Sequence, residues 1–223
     1  MNLFVQTWQW LTDPASWSGG TGILARLAEH VVITAGVVAV AAIIALPIGI
    51  LIGHTGRGQG LIAAIAGAGR AIPTLGLLTL LGLFFGIGLT APMLALVVLA
   101  IPPMLAGAYS GVANVDRGTV KAARGIGMSE AQIIGHVEVP LAAPVVLGGI
   151  RSATIQVIAT ATLAAYIADE GLGRFIFSGL KTRAYEEMAG GALLVIVLAL
   201  VIDGLFALGV RWRARTAVRE STR

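Results

Sequence analysis

Residues 31–53, VVITAGVVAVAAIIALPIGILIG, carry no charged side chain, and that run constrains the chain more than any other feature. A helix needs about 20 consecutive apolar residues to cross the hydrocarbon of a bilayer. The rest of the chain agrees with that solvent: 57% of its 223 residues are hydrophobic and mean hydropathy is +0.91. Only 12% are charged, where a water-soluble domain carries roughly a quarter. Cysteine is absent, which excludes disulfides and thiolate metal sites. His30, His54 and His136 are too scattered to suggest metal ligation, so neither a metal centre nor a catalytic constellation is expected. The reading is an all-α polytopic membrane protein.

About five transmembrane helices follow from the apolar runs, or six segments if one of them is split. The first is 31–53, kinked at Pro47. A short loop, HTGRGQG, follows it. Residues 61–88 carry Arg70 and Pro73 and read as one broken helix, with a short re-entrant piece followed by a span from Pro73 as the alternative. Residues 91–109 make the third span, with Pro102 and Pro103 near its end. The fourth, 141–168, is interrupted by Arg151, and the last, 188–210, holds Asp203. Ahead of them no cation precedes Arg26, unlike a cleavable signal, so the N-terminus is expected to remain. Trp8, Trp10 and Phe4 suit a helix in the headgroup region, although a frayed tail or linker reads almost as well. The chain thus divides into an interfacial segment 1–30, a transmembrane domain 31–210 and a basic tail 211–223.

Charge sets the expected orientation. With the C-terminus in the cytoplasm, nine cations fall inside: Arg57, Arg117, Lys121, Arg124 and the five tail arginines at 211, 213, 215, 219 and 223. Outside lie only Arg26, Arg174, Lys181 and Arg183. That bias follows the positive-inside rule, and it accounts for the pI of about 10.1 without nucleic acid, for which no aromatic stacking platform is present.

The cytoplasmic loop 111–140 is denser in charge than any span. VDRGTVKAAR reads as a short helix closed by a left-handed turn at Gly125 or Gly127. Ser129 stands three residues before Gln132, the spacing of a capping box that starts a second helix. Pro140 and Pro144 mark the return to the membrane. A helix-turn-helix knob results, small enough at Ala122, Ala123 and Gly127 for another backbone to approach. An amphipathic hairpin lying on the bilayer is the alternative that periodicity alone favours.

The spacing of that loop resembles the EAA loop of ABC importer permeases: Glu-Ala-Ala, three residues, Gly, nine residues, then Ile-x-Leu-Pro. Here Ala122 and Ala123 precede Gly127 by that interval, and Val137, Glu138, Val139 and Pro140 close the pattern. Lys121 departs from it, standing where the family has Glu. RAIPTLGLL at 70–78 is similar to the segment opening a core helix in these permeases, and EGLGRFIFSGL at 170–180 to their outer loop. WSGGTGILARLAEHVVITAG, from Trp17, looks like the start of the osmoprotectant branch, importers of glycine betaine, carnitine or choline.

The resemblance implies a type I importer permease fold in a bacterial plasma (inner) membrane, with a cytoplasmic C-terminus and no catalysis by this chain. No Walker A pattern occurs in it. ATP and Mg would be used by separate ABC ATPase subunits, and this chain would bind no cofactor. A second permease, a distinct paralogue in preference to a copy, would complete the pore, and an extracytoplasmic solute-binding protein would deliver a small compatible solute. Lys121, Ala122, Ala123 and Gly127, with Ser129, Glu130, Val137, Val139 and Pro140, would meet the ATPase. Pro73, Thr74, Tyr109 and Tyr166 are the candidates for the translocation path, although the aromatics of the spans read first as packing. Arg70, Arg151 and Asp203, at membrane depth, read as paired or snorkelling groups before functional ones. Gly82 with Gly86, and Gly107 with Gly111, have the spacing of close helix contacts. Rival readings are a methionine-type importer, an ion-coupled secondary transporter, for which no internal repeat is found, and a non-transporting scaffold.

Overall fold

A computed structural model describes residues 2–220; the side chains of Arg70 and of residues 210–220 lie outside the description. The expected snorkelling of Arg70 and the roles of the tail arginines therefore fall outside the described residues. All described regular structure is helical. In chain order the helices are α1 (Leu3–Thr12), α2 (Pro14–Trp17), α3 (Ile23–Thr55), α4 (Gln59–Ala71), α5 (Thr74–Phe85), α6 (Thr90–Ala113), α7 (Arg117–Gly125) and α8 (Glu130–Ile133). A π-turn (Ile134–Glu138) leads into α9 (Val139–Ala161), followed by a 3₁₀ turn, α10 (Ala165–Ala168), α11 (Gly173–Thr182) and α12 (Tyr185–Glu220). Among the described residues four helical stretches are long and apolar enough to cross a membrane, and the pair α4–α5, bent by 88°, adds a fifth if it is one broken span in place of a re-entrant loop. The break falls at Ile72-Pro73, where the proline disfavours helical backbone in the residue before it.

Three boundaries differ from the sequence reading. The helix that holds the first span begins at Ile23, ahead of the uncharged run, and takes in the Arg26–Glu29 pair at 2.9 Å. Residues 169–187 are not simply a polar loop: α11 folds within them, burying Phe175 and Gly179 on one face. The second helix of the cytoplasmic knob does not stop before the fourth span. It runs through the π-turn into α9, and Pro140, which has no N–H to donate to the preceding turn, stands just past the π-turn in that continuous helix.

Among the described residues, the helices form two compact units, one of residues 2–38, 72–99 and 154–204, the other of 39–71, 100–153 and 205–220. In the first, Ile23, Ile158, Leu172, Phe175 and Val195 form the core. Trp10 closes it edge-on to Phe175 at 5.1 Å, and the Trp17 indole donates to the Leu11 carbonyl at 2.7 Å. The N-terminal segment is therefore packed on the unit, while Phe4 and Trp8 on the other face of α1 stay 81% and 68% exposed. Polar bonds fasten the Gly171-Leu172-Gly173 turn: Gly171 N–H donates to Glu29, Leu172 N–H donates to His30 Nδ1, and Arg26 donates to the Asp169 carbonyl. Since Nδ1 of His30 accepts, its Nε2 carries the proton and donates to the Ile158 carbonyl at 3.0 Å.

The second unit is seamed by glycine. A Cβ at Gly107 would lie 2.7 Å from Gly149 Cα, and one at Gly53 would lie 2.8 Å from Val112 Cβ. Helix backbones touch at these points, the packing expected where lipid provides no hydrophobic drive between helices. Gly111 likewise meets Ala142. Of the other predicted pair, Gly82 lies against Ile167, but Gly86 touches nothing and instead ends α5 with φ of 78°.

Candidate coupling loop

The loop residues 111–140 and the helix ends around them lie in the second unit, over a core of Val112, Val115, Val120, Ala123, Ile133 and Ala142. Asp116 caps α7, accepting from Thr119 N–H at 2.7 Å and from its hydroxyl at 3.0 Å. Those bonds, the backbone one foremost, hold the Asp116 carboxyl below its ordinary value. At the other end of α7, Met128 N–H donates to the Ala123 carbonyl and Gly127 N–H to that of Arg124. This 6→1, 5→2 pair is a Schellman motif, and Gly127, with φ of 90°, occupies its left-handed position. Gly127, rather than Gly125, thus closes the helix.

Ser129 then opens α8 with both bonds of a capping box: Gln132 N–H to the Ser129 hydroxyl at 3.4 Å, and Ser129 N–H to Gln132 Oε1 at 2.8 Å. On α7, Val120 and Ala123 turn inward, leaving Arg117, Lys121 and Ala122 exposed on a face whose only charges are cationic. Lys121 is thus available to a partner at the place where Glu is usual. Val137 and Val139 are half-buried, Val137 against the core, and Pro140 is exposed.

Glu130 is held within the loop. Its carboxylate receives Arg124 Nε at 2.7 Å and Nη2 at 2.8 Å, a bidentate pair that raises the Arg124 pKa and locks α7 to α8. The Glu130 carboxylate also faces His54 Nε2 at 3.1 Å, and the other nitrogen of that ring meets Glu138 at 2.6 Å. Glu138 is 1% exposed. Neither His54 nor Glu138 was singled out by sequence as more than a scattered histidine and a variable motif position. The available signal was a polar residue closing an uncharged span and an acid set between aliphatic motif positions.

The translocation candidates divide between the units. Pro73 and Thr74, at the start of α5, and Tyr166, 58% exposed with its ring 5.6 Å from that of Phe177, belong to the first. Tyr109 belongs to the second, half-buried beside the glycines of α3. Neither Arg151 nor Asp203 is without a partner. Among the described residues no group of three or more His, Cys, Asp or Glu side chains is arranged to hold a metal ion.

Residues 45–215 match the family described as binding-protein-dependent transport system inner membrane component. The chain is 35% identical to the choline transport system permease protein OpuBB of Bacillus subtilis, over 87% of this chain and 89% of that one. It is also 35% identical to the carnitine transport permease protein OpuCB of Listeria monocytogenes, over 85% and 86%. Its fold resembles the MetNI methionine ABC transporter in an inward-facing form, with a TM-score of 0.73 at 21% identity, covering 85% of this chain and 94% of that chain.

Proposed function

The chain belongs to the binding-protein-dependent transport system inner membrane components and is a permease subunit of an ABC importer; from that premise we propose that it imports a small compatible solute such as glycine betaine, choline, carnitine or proline. The observation that carries this reading is the identity of about a third, over nearly the whole chain, to permeases named for choline and carnitine. A methionine-type importer is the second reading, but the likeness to the methionine transporter, at 21% identity, bears on fold alone.

In the proposed assembly this chain supplies half of the path, and a second permease, preferably a distinct paralogue, supplies the rest. It binds no cofactor; separate ATPase subunits bind ATP and Mg and seat against Lys121, Ala122 and the Gly127 turn. The capped, doubly hydrogen-bonded geometry of that turn supports the assignment, since a lever that must pass on force has to be stiff. An extracytoplasmic binding protein selects the solute. The C-terminus is cytoplasmic, on the charge bias of the loops. Alternating access is then rocking of two permeases about Pro73, Thr74, Tyr109 and Tyr166, which meet solute weakly.

Proteoliposomes holding the assembled transporter test the reading. Uptake of labelled choline, carnitine or glycine betaine should require ATP and the binding protein, and should vanish with a hydrolysis-dead ATPase. Uptake that survives that ATPase would sink the importer reading; uptake of methionine alone would sink the solute assignment.

A further inference from the structure

The chemistry of His54 extends beyond the motif. This residue closes α3, outside the loop, yet both of its ring nitrogens are spent on the loop's carboxylates: Nδ1 on Glu138 at 2.6 Å and Nε2 on Glu130 at 3.1 Å. An ionised carboxylate only accepts, so each nitrogen facing one must carry a hydrogen. The three groups together therefore hold one proton more than two carboxylates and a neutral imidazole, and an imidazolium donating from both nitrogens satisfies them all. Glu138 is 1% exposed, and a carboxylate removed from water to that degree persists only when paired. His54, with its side chain 11% exposed, is the partner that the distances assign to it. The other charge on the cluster is Arg124, bonded to the far side of Glu130. From α6, Val112 and the Tyr109 carbonyl pack against Gly53 at this end of α3.

We infer that His54 is a positioning residue for energy coupling, a protonated pin that joins the end of α3 to the coupling loop through α8 and the π-turn. Displacement of α7 by an ATPase reaches Glu130 through the Arg124 fork, and reaches α3 through His54. Apolar contact lets helices slide, whereas two charge-assisted bonds to one ring fix both distance and direction. Glu138, at the variable position of the motif, is the buried anchor of the pin. The inference rests on the importer reading above.

The test uses the complete transporter in proteoliposomes, measuring solute imported and ATP hydrolysed together. Three variants are compared: His54→Gln, Glu138→Gln and the double variant, in which two neutral amides can bond each other. Each single variant should lower the solute-to-ATP ratio by about tenfold or more, the value of a lost bond to a charged group. The double variant should recover most of that loss. Single variants that assemble and couple like the wild type would overturn the inference, as would a double variant that couples no better than the single ones. Should the single variants fail to assemble, the double variant decides: restored assembly and coupling support the pin, and continued failure overturns it. A wild-type complex whose ATPase responds to no solute would instead overturn the importer reading.

Discussion

Adjacent residues on α9 offer a test of whether its packing in the second unit is as close as the geometry states. A Cβ added at Gly149 would stand 2.9 Å from both Gly107 Cα and the Pro103 carbonyl oxygen, whereas one at Gly148 meets nothing within 4 Å. Carbon atoms rest about 3.5–4.0 Å apart, so Gly149→Ala must push α6 and α9 apart by roughly 1 Å along a backbone contact that no side-chain rotation can relieve. Overpacking of this kind costs about 1–3 kcal/mol. Both substitutions also replace glycine by alanine inside a helix, worth up to about 1 kcal/mol in favour of each. That shared term cancels between the two variants, leaving the clash, about 2 kcal/mol, as the difference. Purified in detergent and heated while the fluorescence of the four tryptophans is followed, the Gly149→Ala protein should melt roughly 4–8 °C below Gly148→Ala. Gly148→Ala itself should melt at or above the parent. Equal midpoints would refute the backbone contact, and with it the glycine seam between these helices.

Gly127→Val should uncouple ATP hydrolysis from transport through backbone strain, since open space surrounds that position but its φ of 90° costs an L-residue about 1–2 kcal/mol; unchanged solute-to-ATP ratios would count against the turn's role. Asp116 titrates below its ordinary value, so its contribution is complete above the usual carboxylate range and disappears as pH falls through the lowered value. Asp116→Asn should accordingly flatten the acid limb of a stability–pH profile in detergent and leave its alkaline side unchanged in slope. Gly173→Ala sets a methyl group onto the Thr162 carbonyl and should destabilise by about 3 kcal/mol, seen as loss of monodisperse protein on gel filtration.

What could be read from sequence was local. The Ser129–Gln132 box and the Gly127 turn announce themselves because each is complete within a few residues. Gly107 and Gly111 showed their role through spacing on a single helix. Gly86 has the same spacing from Gly82 and a different job, because the signature of close packing cannot distinguish a mid-helix glycine from one that ends the helix. The helix α11 escaped notice because its buried face amounts to little beyond Phe175 and Gly179, too short a pattern to outweigh the glycines and charges around it. His54 and Glu138 were invisible as a pair: 84 residues separate them, and only folding brings them to 2.6 Å.

The π-turn at Ile134–Glu138 gives the chain's length a meaning that its composition does not have. Such a turn holds an extra residue relative to an α-helix, and each residue of an α-helix turns the chain by about 100°. Deleting one residue from this segment would leave every side chain type in place and restore regular winding. Because the wider turn absorbs its extra residue, α8 would stay nearly in phase with α9 and Glu130 would stay on the side of His54. A single deletion in this turn should therefore be tolerated, whereas a second, with no bulge left to absorb it, would turn α8 by about 100° and carry Glu130 away from His54.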